Sequence, residues 1–277
     1  MKKSLRLAAA CFAAVICITC LVACERAENT ENETILSPYD ETVPASFSEE
    51  SGIGRPEAAS KYNPRQIEQQ EKTGRTICVD PGHGFVDGGC GEGCYSDGTV
   101  EKDITLAIAN KLTERLKLLG YTVIQTHDGE NIPSADTNCN NIFSATERAA
   151  YVNTLDIDYL VSIHVNALDS DADVNGMHIY YQQSGAKVNT WGKDVCESIQ
   201  KSLIRDLDPE TKPIIKDGTD PNTSFSLTRD VRAASSLIEV GFVTNEEDAA
   251  NMVDPGWQDV VADAIADGID TFFKSLT

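Results

Sequence analysis

The stretch TICVDPGHGFVDGG, Thr76 to Gly89, decides how the chain is read. Four apolar or β-branched residues run into Asp80-Pro81-Gly82, the pattern of a buried strand that stops at a sharp turn. His83 is then held out between two glycines at the strand's end. In sheets covered by helices on both faces, ligands and chemistry gather at the carboxyl ends of the strands. The same pattern returns at DYLVSIH, where an apolar strand ends on His164, and SSLIEVGFVTN is a third buried strand, interrupted by Glu239.

The segments between these strands alternate in period. EKDITLAIANKLTERLKLLG places Ile104, Ile108, Leu112, Leu116 and Leu119 at three- and four-residue steps, with Gly120 at a helix stop. YTVIQT and GMHIYYQ are short strands. SATERAAYVNTL opens with Ser144 and Glu147 in capping-box spacing, and VNTWGKDVCESIQKSLIRDL is a long helix. Asp128 to Asn141 and Lys212 to Arg229 are read as polar loops. Asn245 is the expected cap of a short helix in NEEDAANMV, and the closing helix buries Val261, Ile265, Ile269 and Phe272 or Phe273. Strands alternating with helices predict an α/β three-layer domain, a mostly parallel sheet covered by helices on both faces.

The 277 residues hold more than this one domain. Three basic residues within the first six precede an apolar stretch from Leu7 to Val22 and then Cys24, the order of a secretory signal peptide. LVAC, Leu21 to Cys24, resembles the bacterial lipobox, which implies cleavage before Cys24 and a lipid on that cysteine. The expected organisation is a signal peptide over 1–23, an anchored tether over 24–74 and a catalytic domain over 75–277. The tether is acidic, rich in Ser, Asn, Glu and Pro, and too poor in apolar clusters to form a core; a weak amphipathic turn lies near Arg65 to Glu71. The expected location is the outer face of the cytoplasmic membrane, held by the lipid anchor. A formal charge of −21 argues against nucleic acid as a partner. A monomer is expected. Five of the nine cysteines, Cys78, Cys90, Cys94, Cys139 and Cys196, fall in the domain. An odd number excludes a fully paired framework; free thiols, or one bridge among Cys90, Cys94 and Cys139, are favoured over a metal knuckle.

Carboxyl ends of neighbouring parallel strands share one edge of a sheet, so His83, His164 and Glu239 converge there, joined by Glu101 at the start of the first long helix. Two imidazoles and a carboxylate form a recognised catalytic zinc set, with the remaining carboxylate as proton acceptor. An unpaired carboxylate inside an apolar strand is costly unless it has a partner or a purpose, which sets Glu239 apart from the many surface acids. His127 and His178 are assigned surface or hydrogen-bonded roles, with His178 alternating on its strand so that it faces solvent. Glu101 has a simpler reading as a complement to the helix dipole. Asp80 and Asp87 are candidate acceptors orienting His83, with Asp80 read alternatively as a residue that only shapes the turn.

VDPGHG with His83, VEKDITL with Glu101, ERAAYVN with Arg148 and Asn153, LVSIHVNA with His164 and SLIEVGFVTNEEDAA with Glu239 together resemble the zinc-dependent N-acetylmuramoyl-L-alanine amidases of the Amidase_3 type. The resemblance runs from Arg75 to Phe273 with the motifs in the family's order. It implies His83, Glu101 and His164 as zinc ligands, Glu239 as catalytic acid-base, Asn166 as a residue lining the substrate cleft, a structural role for Arg148, and peptidoglycan as the substrate. Two departures bear on the cleft: Phe85 replaces a glycine after GHG, and THDGE lacks an arginine found in the family's TRxxD. The short interval after Gln182 leaves no room for the long helical insert of autoinhibited relatives, which implies an open cleft. With no wall-binding repeats after the domain, the lipid and tether are its expected targeting device. Two other readings stand beside this one: a zinc carboxypeptidase cutting within the stem peptide, and a lipoprotein that binds peptidoglycan without cutting it.

Overall fold

A computed structural model of the chain describes residues 61, 72–90, 100–129, 131, 144–182, 191–207, 213–218 and 224–277. The expected signal peptide, Cys24, the turn near Arg65 to Glu71, Cys94, Cys139 and most of the Asp128–Asn141 loop lie outside these residues.

Six strands form one sheet: β1 (Thr76–Pro81), β2 (Thr122–Gln125), β3 (Tyr159–Asn166), β4 (His178–Tyr181), β5 (Ile214–Asp217) and β6 (Ala234–Phe242). Their order is β2-β1-β3-β6-β4-β5. Every neighbouring pair is parallel except β4 and β6. The central strands read as unbroken apolar runs because both faces are covered, and all nine residues of β6 are buried.

Among the described residues, six helices accompany the sheet: α1 (Glu101–Leu118), α2 (Ala145–Val152), α3 (Gly192–Asp206), α4 (Ser226–Arg229), α5 (Glu246–Met252) and α6 (Pro255–Lys274). On one face the main core joins Ile104, Ile108, Leu112 and Leu116 of α1 to Ile199 of α3 and Val261, Ile265 and Ile269 of α6, over Ile77, Val79, Val161 and Ile238 of the sheet. The opposite face carries a smaller core in which Ala149 and Val152 of α2 and Leu227 of α4 meet Cys78 and Leu160. The expected three layers are thus present, and both Phe272 and Phe273 are buried.

The helix ends follow their sequence signals. Ser144 and Glu147 form the capping box of α2, Asn245 accepts the amides of Glu247 and Asp248 at the start of α5, and Gly120 takes φ 87° just past α1. Where α3 crosses α6, Gly268 leaves no space for a side chain: a Cβ there would strike the Ile199 backbone.

One expectation needs correction. Lys212 to Arg229 is not simply a polar loop, since Ile214–Asp217 pairs with β4 as an edge strand and Ser226–Arg229 forms a single helical turn. Four residues are too few to show a period, and pairing with β4 settles their conformation. Among the described residues no helix is long and apolar enough to cross a membrane.

Candidate metal centre and active site

The turn after β1 aims the first histidine. Gly82 donates its amide to the Ile163 carbonyl at 2.8 Å, and a Cβ at Gly82 would lie 2.6 Å from both that oxygen and the His164 ring, so only glycine lets β1 and β3 end this close together. His83 and Phe85 then adopt φ 61° and 58°, left-handed values that non-glycine residues seldom take. The turn is propped from below by His127, whose Nε2 donates to the Pro81 carbonyl at 2.9 Å while Nδ1 accepts the Gly129 amide, and by Lys102, which donates to the Phe85 carbonyl. His127 is a hydrogen-bonded core residue, in keeping with its sequence reading.

Three groups meet at the carboxyl edge of β1 and β3. His83 Nε2 lies 3.3 Å from Glu101 Oε2, and His164 Nδ1 lies 3.1 Å from Glu101 Oε1. The two rings are perpendicular within about 15°, at 75°, with centroids 5.0 Å apart. One donor atom from each of His83, Glu101 and His164 lies within 4.8 Å of the others. Glu101 is buried, and its oxygens also accept the amides of Cys90 (2.7 Å) and Val165 (2.8 Å). Burial alone would raise its pKa, but the bonds with His164 and His83 outweigh that and hold the carboxyl far below its ordinary range. Burial opposes the charge on His83, and its bonds to Glu101 and Asp87 prevail, so its pKa is raised.

Asp87 Oδ2 lies 2.9 Å from His83 Nδ1. A proton shared there leaves Nε2 facing Glu101 as a lone-pair donor, the usual arrangement of a metal-ligating histidine. Two imidazole nitrogens on partly exposed rings and a buried, ionised carboxylate fit a catalytic zinc site.

Glu239 stands next to this cluster on β6, directly across from His164 in the β3–β6 register. It is 7 % exposed, and its Oε2 is buried without a hydrogen-bond partner. Burial, reinforced by Glu101 and only partly offset by His164 and His83, lifts its pKa to about 7. Asn166 ends β3 at the same edge, where its side-chain oxygen accepts the Ala167 amide at 2.9 Å; it is not a member of the three-residue cluster.

Two sequence readings change. Asp80 does not orient His83. Fully buried, it accepts from Arg148 Nε (2.8 Å), Ser162 Oγ (2.6 Å) and Thr126 Oγ1 (2.6 Å), tying α2 and β3 to β1. Burial would raise its pKa, but Arg148 and the two hydroxyls hold it low. His178 does not face solvent: it packs edge-on against Phe242 at 5.2 Å, pairs with the Tyr180 hydroxyl at 3.3 Å, and lies opposite Glu239 in the β4–β6 register. Burial, helped by Lys216, lowers its pKa to about 4. Alternation on β4 was legible in the sequence, but which face the core covers depends on the antiparallel pairing with β6. Cys78 and Cys90 are free thiols, and Cys90 Sγ donates to the Val165 carbonyl.

Residues 77–271 match the Amidase_3 family model, N-acetylmuramoyl-L-alanine amidase, and the chain belongs to that family. Among related sequences, the germination-specific N-acetylmuramoyl-L-alanine amidase of Bacillus subtilis is 29 % identical over 205 residues, 73 % of this chain and 81 % of that protein. The uncharacterised protein YqiI of the same organism is 30 % identical over 72 % of this chain and 85 % of its own length. The amidase LytC, also from B. subtilis, is 28 % identical over 80 % of this chain, which spans only 40 % of LytC. Among solved structures, the CwlD amidase of Clostridioides difficile, determined with the GerS lipoprotein, superposes with a TM-score of 0.60 at 29 % identity, covering 73 % of this chain and 99 % of that one.

Proposed function

We propose that the protein hydrolyses the amide bond between the lactyl group of N-acetylmuramic acid and the L-alanine that begins the peptidoglycan stem peptide. The observation that carries this reading is the orphaned, buried Glu239 carboxylate beside the His83–Glu101–His164 cluster. A carboxylate kept dry and without a partner is costly, and a pKa near neutrality suits a group that must both take and give a proton.

His83, Glu101 and His164 would hold zinc. When bound, zinc supplies a Lewis acid and acidifies water toward a pKa of roughly 7. Glu239 takes a proton from the attacking water as its oxygen bonds to the lactyl carbon. The carbon–nitrogen bond then breaks, and Glu239 returns the proton to the departing amine of L-alanine. Asp87 keeps the proton of His83 on Nδ1, away from the cluster. Asn166, at the same edge, lines the cleft.

In this reading the catalytic domain occupies 75–277, and the chain before it is a signal peptide over 1–23 and a tether over 24–74 attached by a lipid on Cys24 to the outer face of the cytoplasmic membrane. The domain acts as a monomer.

The test is digestion of purified peptidoglycan by the full chain, with and without a chelator, beside Glu239→Ala, with new amino termini labelled and identified by mass spectrometry. N-terminal L-alanine that requires both metal and Glu239 is expected. New termini elsewhere in the stem would make it a peptidase instead, and retention on the wall with no new amine would make it a binding protein.

A further inference from the structure

The edge of the sheet beyond Glu239 carries a basic side chain that the mechanism does not use. Residues opposite one another in register point to the same face. His178 lies opposite Glu239, and in the next row Lys216 on β5 lies opposite Tyr180 on β4, which lies opposite Leu237 on β6. Lys216, Tyr180, His178 and Glu239 therefore share one face. The Tyr180 hydroxyl reaches back to His178 Nδ1, and the Tyr180 ring is braced by Phe225 at a centroid distance of 5.0 Å.

Lys216 is half-buried, and its ammonium sits 5.7 Å from the centre of the Tyr180 ring. The other buried or half-buried basic residues among those described are all satisfied. Arg75, Lys111, Arg115 and Arg148 each hold a carboxylate, and Lys102 holds the Phe85 carbonyl. No described carboxylate or carbonyl pairs with Lys216. In a chain with 44 acidic and 23 basic residues, a partly dried lysine with no acid partner among the described residues is a place for an anion.

We propose that Lys216, backed by Tyr180, is a specificity residue that receives a free carboxylate on the second residue of the stem peptide, one residue beyond the L-alanine. This rests on the amidase reading above. The spacing suits it: Lys216 lies two strand separations, roughly 10 Å, across the sheet and two residues, roughly 7 Å, along it from Glu239, so the backbones are roughly 12 Å apart, and a lysine stem spans part of that gap. A carboxylate one residue past the alanine lies roughly 7 Å from the bond to be cut. A neutral sugar on the glycan side would gain nothing from the ammonium.

The test uses the zinc-loaded full chain and two N-acetylmuramoyl dipeptides that share L-alanine and differ only in the second residue, which carries either a free α-carboxylate or the corresponding carboxamide. The native protein is expected to favour the carboxylate by about tenfold in kcat/KM, through KM. Lys216→Met should bring that ratio close to one, and Lys216→Arg should keep most of it. A native ratio near one, or a Lys216→Met ratio equal to the native, would overturn the proposal. Calorimetric binding of the two product dipeptides gives an answer that does not depend on turnover. A carboxylate preference that disappears in Lys216→Met supports the subsite even when neither substrate is cut, an outcome that would sink the amidase reading alone; binding without preference sinks the subsite.

Discussion

Glu239 makes the folded protein pay for its chemistry. Its pKa rises from an ordinary 4.5 to about 7 on folding, mainly through burial. A carboxyl raised in the folded state contributes nothing unfavourable below pH 4.5, where it is protonated in both states, and destabilises progressively as pH rises through 7. In the metal-free protein, Glu239→Gln should therefore gain on the order of 2 kcal/mol at pH 8 and be nearly neutral at pH 4, measured by urea unfolding at both values. The same variant should lose roughly 10²- to 10⁴-fold in the rate of amide hydrolysis. Arg148 presents the opposite case. Arg148→Met would strand the Asp80 charge in the interior with only two hydroxyl donors and should cost about 3–5 kcal/mol in denaturant unfolding. His83, His164 and Glu239 stood out in the sequence because polar groups in or just beyond apolar strands are conspicuous, whereas Glu101, at the start of α1, had an equally simple reading as a helix-dipole residue. The partners of Asp80 were not, because Arg148, Ser162 and Thr126 belong to three separate elements that only the fold brings together.

Helices and central strands were largely legible as elements, since their periods and caps are local properties. β5 was not, because four residues are too few to show a period and its conformation is settled by pairing with β4. The antiparallel sense of β4 was equally hidden, and with it the placement of His178 and Tyr180 beside Glu239. Packing between helices offers a sharper test. Gly268 of α6 abuts the Ile199 backbone of α3, and a backbone has no rotamer to yield. Gly268→Ala should gain up to about 1 kcal/mol in helix propensity and lose about 1–3 kcal/mol to the forced separation of the helices. A net fall in melting temperature, with secondary structure unchanged by circular dichroism, is the expected result.

For the whole molecule, the cluster at the sheet edge links metal, proton and stability. In the metal-free protein His83 has a raised pKa because Glu101 and Asp87 favour its charged form. Zinc competes with that proton, so its binding should release protons and weaken as pH falls, measurable by calorimetry in buffers of different ionisation enthalpy. Saturating zinc should raise the melting temperature, and His164→Ala should abolish most of that rise. The order of strands adds a further point. β6 is the last of the six strands in chain order, yet it sits inside the sheet, between β3 and β4. The histidines lie at positions 83 and 164, and Glu239 follows far behind them. A nascent chain that has emerged only through β5 holds every member of the metal cluster but not the carboxylate beside it. In biosynthesis, the proposed wall-cutting activity is therefore withheld until β6 itself has been made, so fragments from translation interrupted before it carry no lytic hazard.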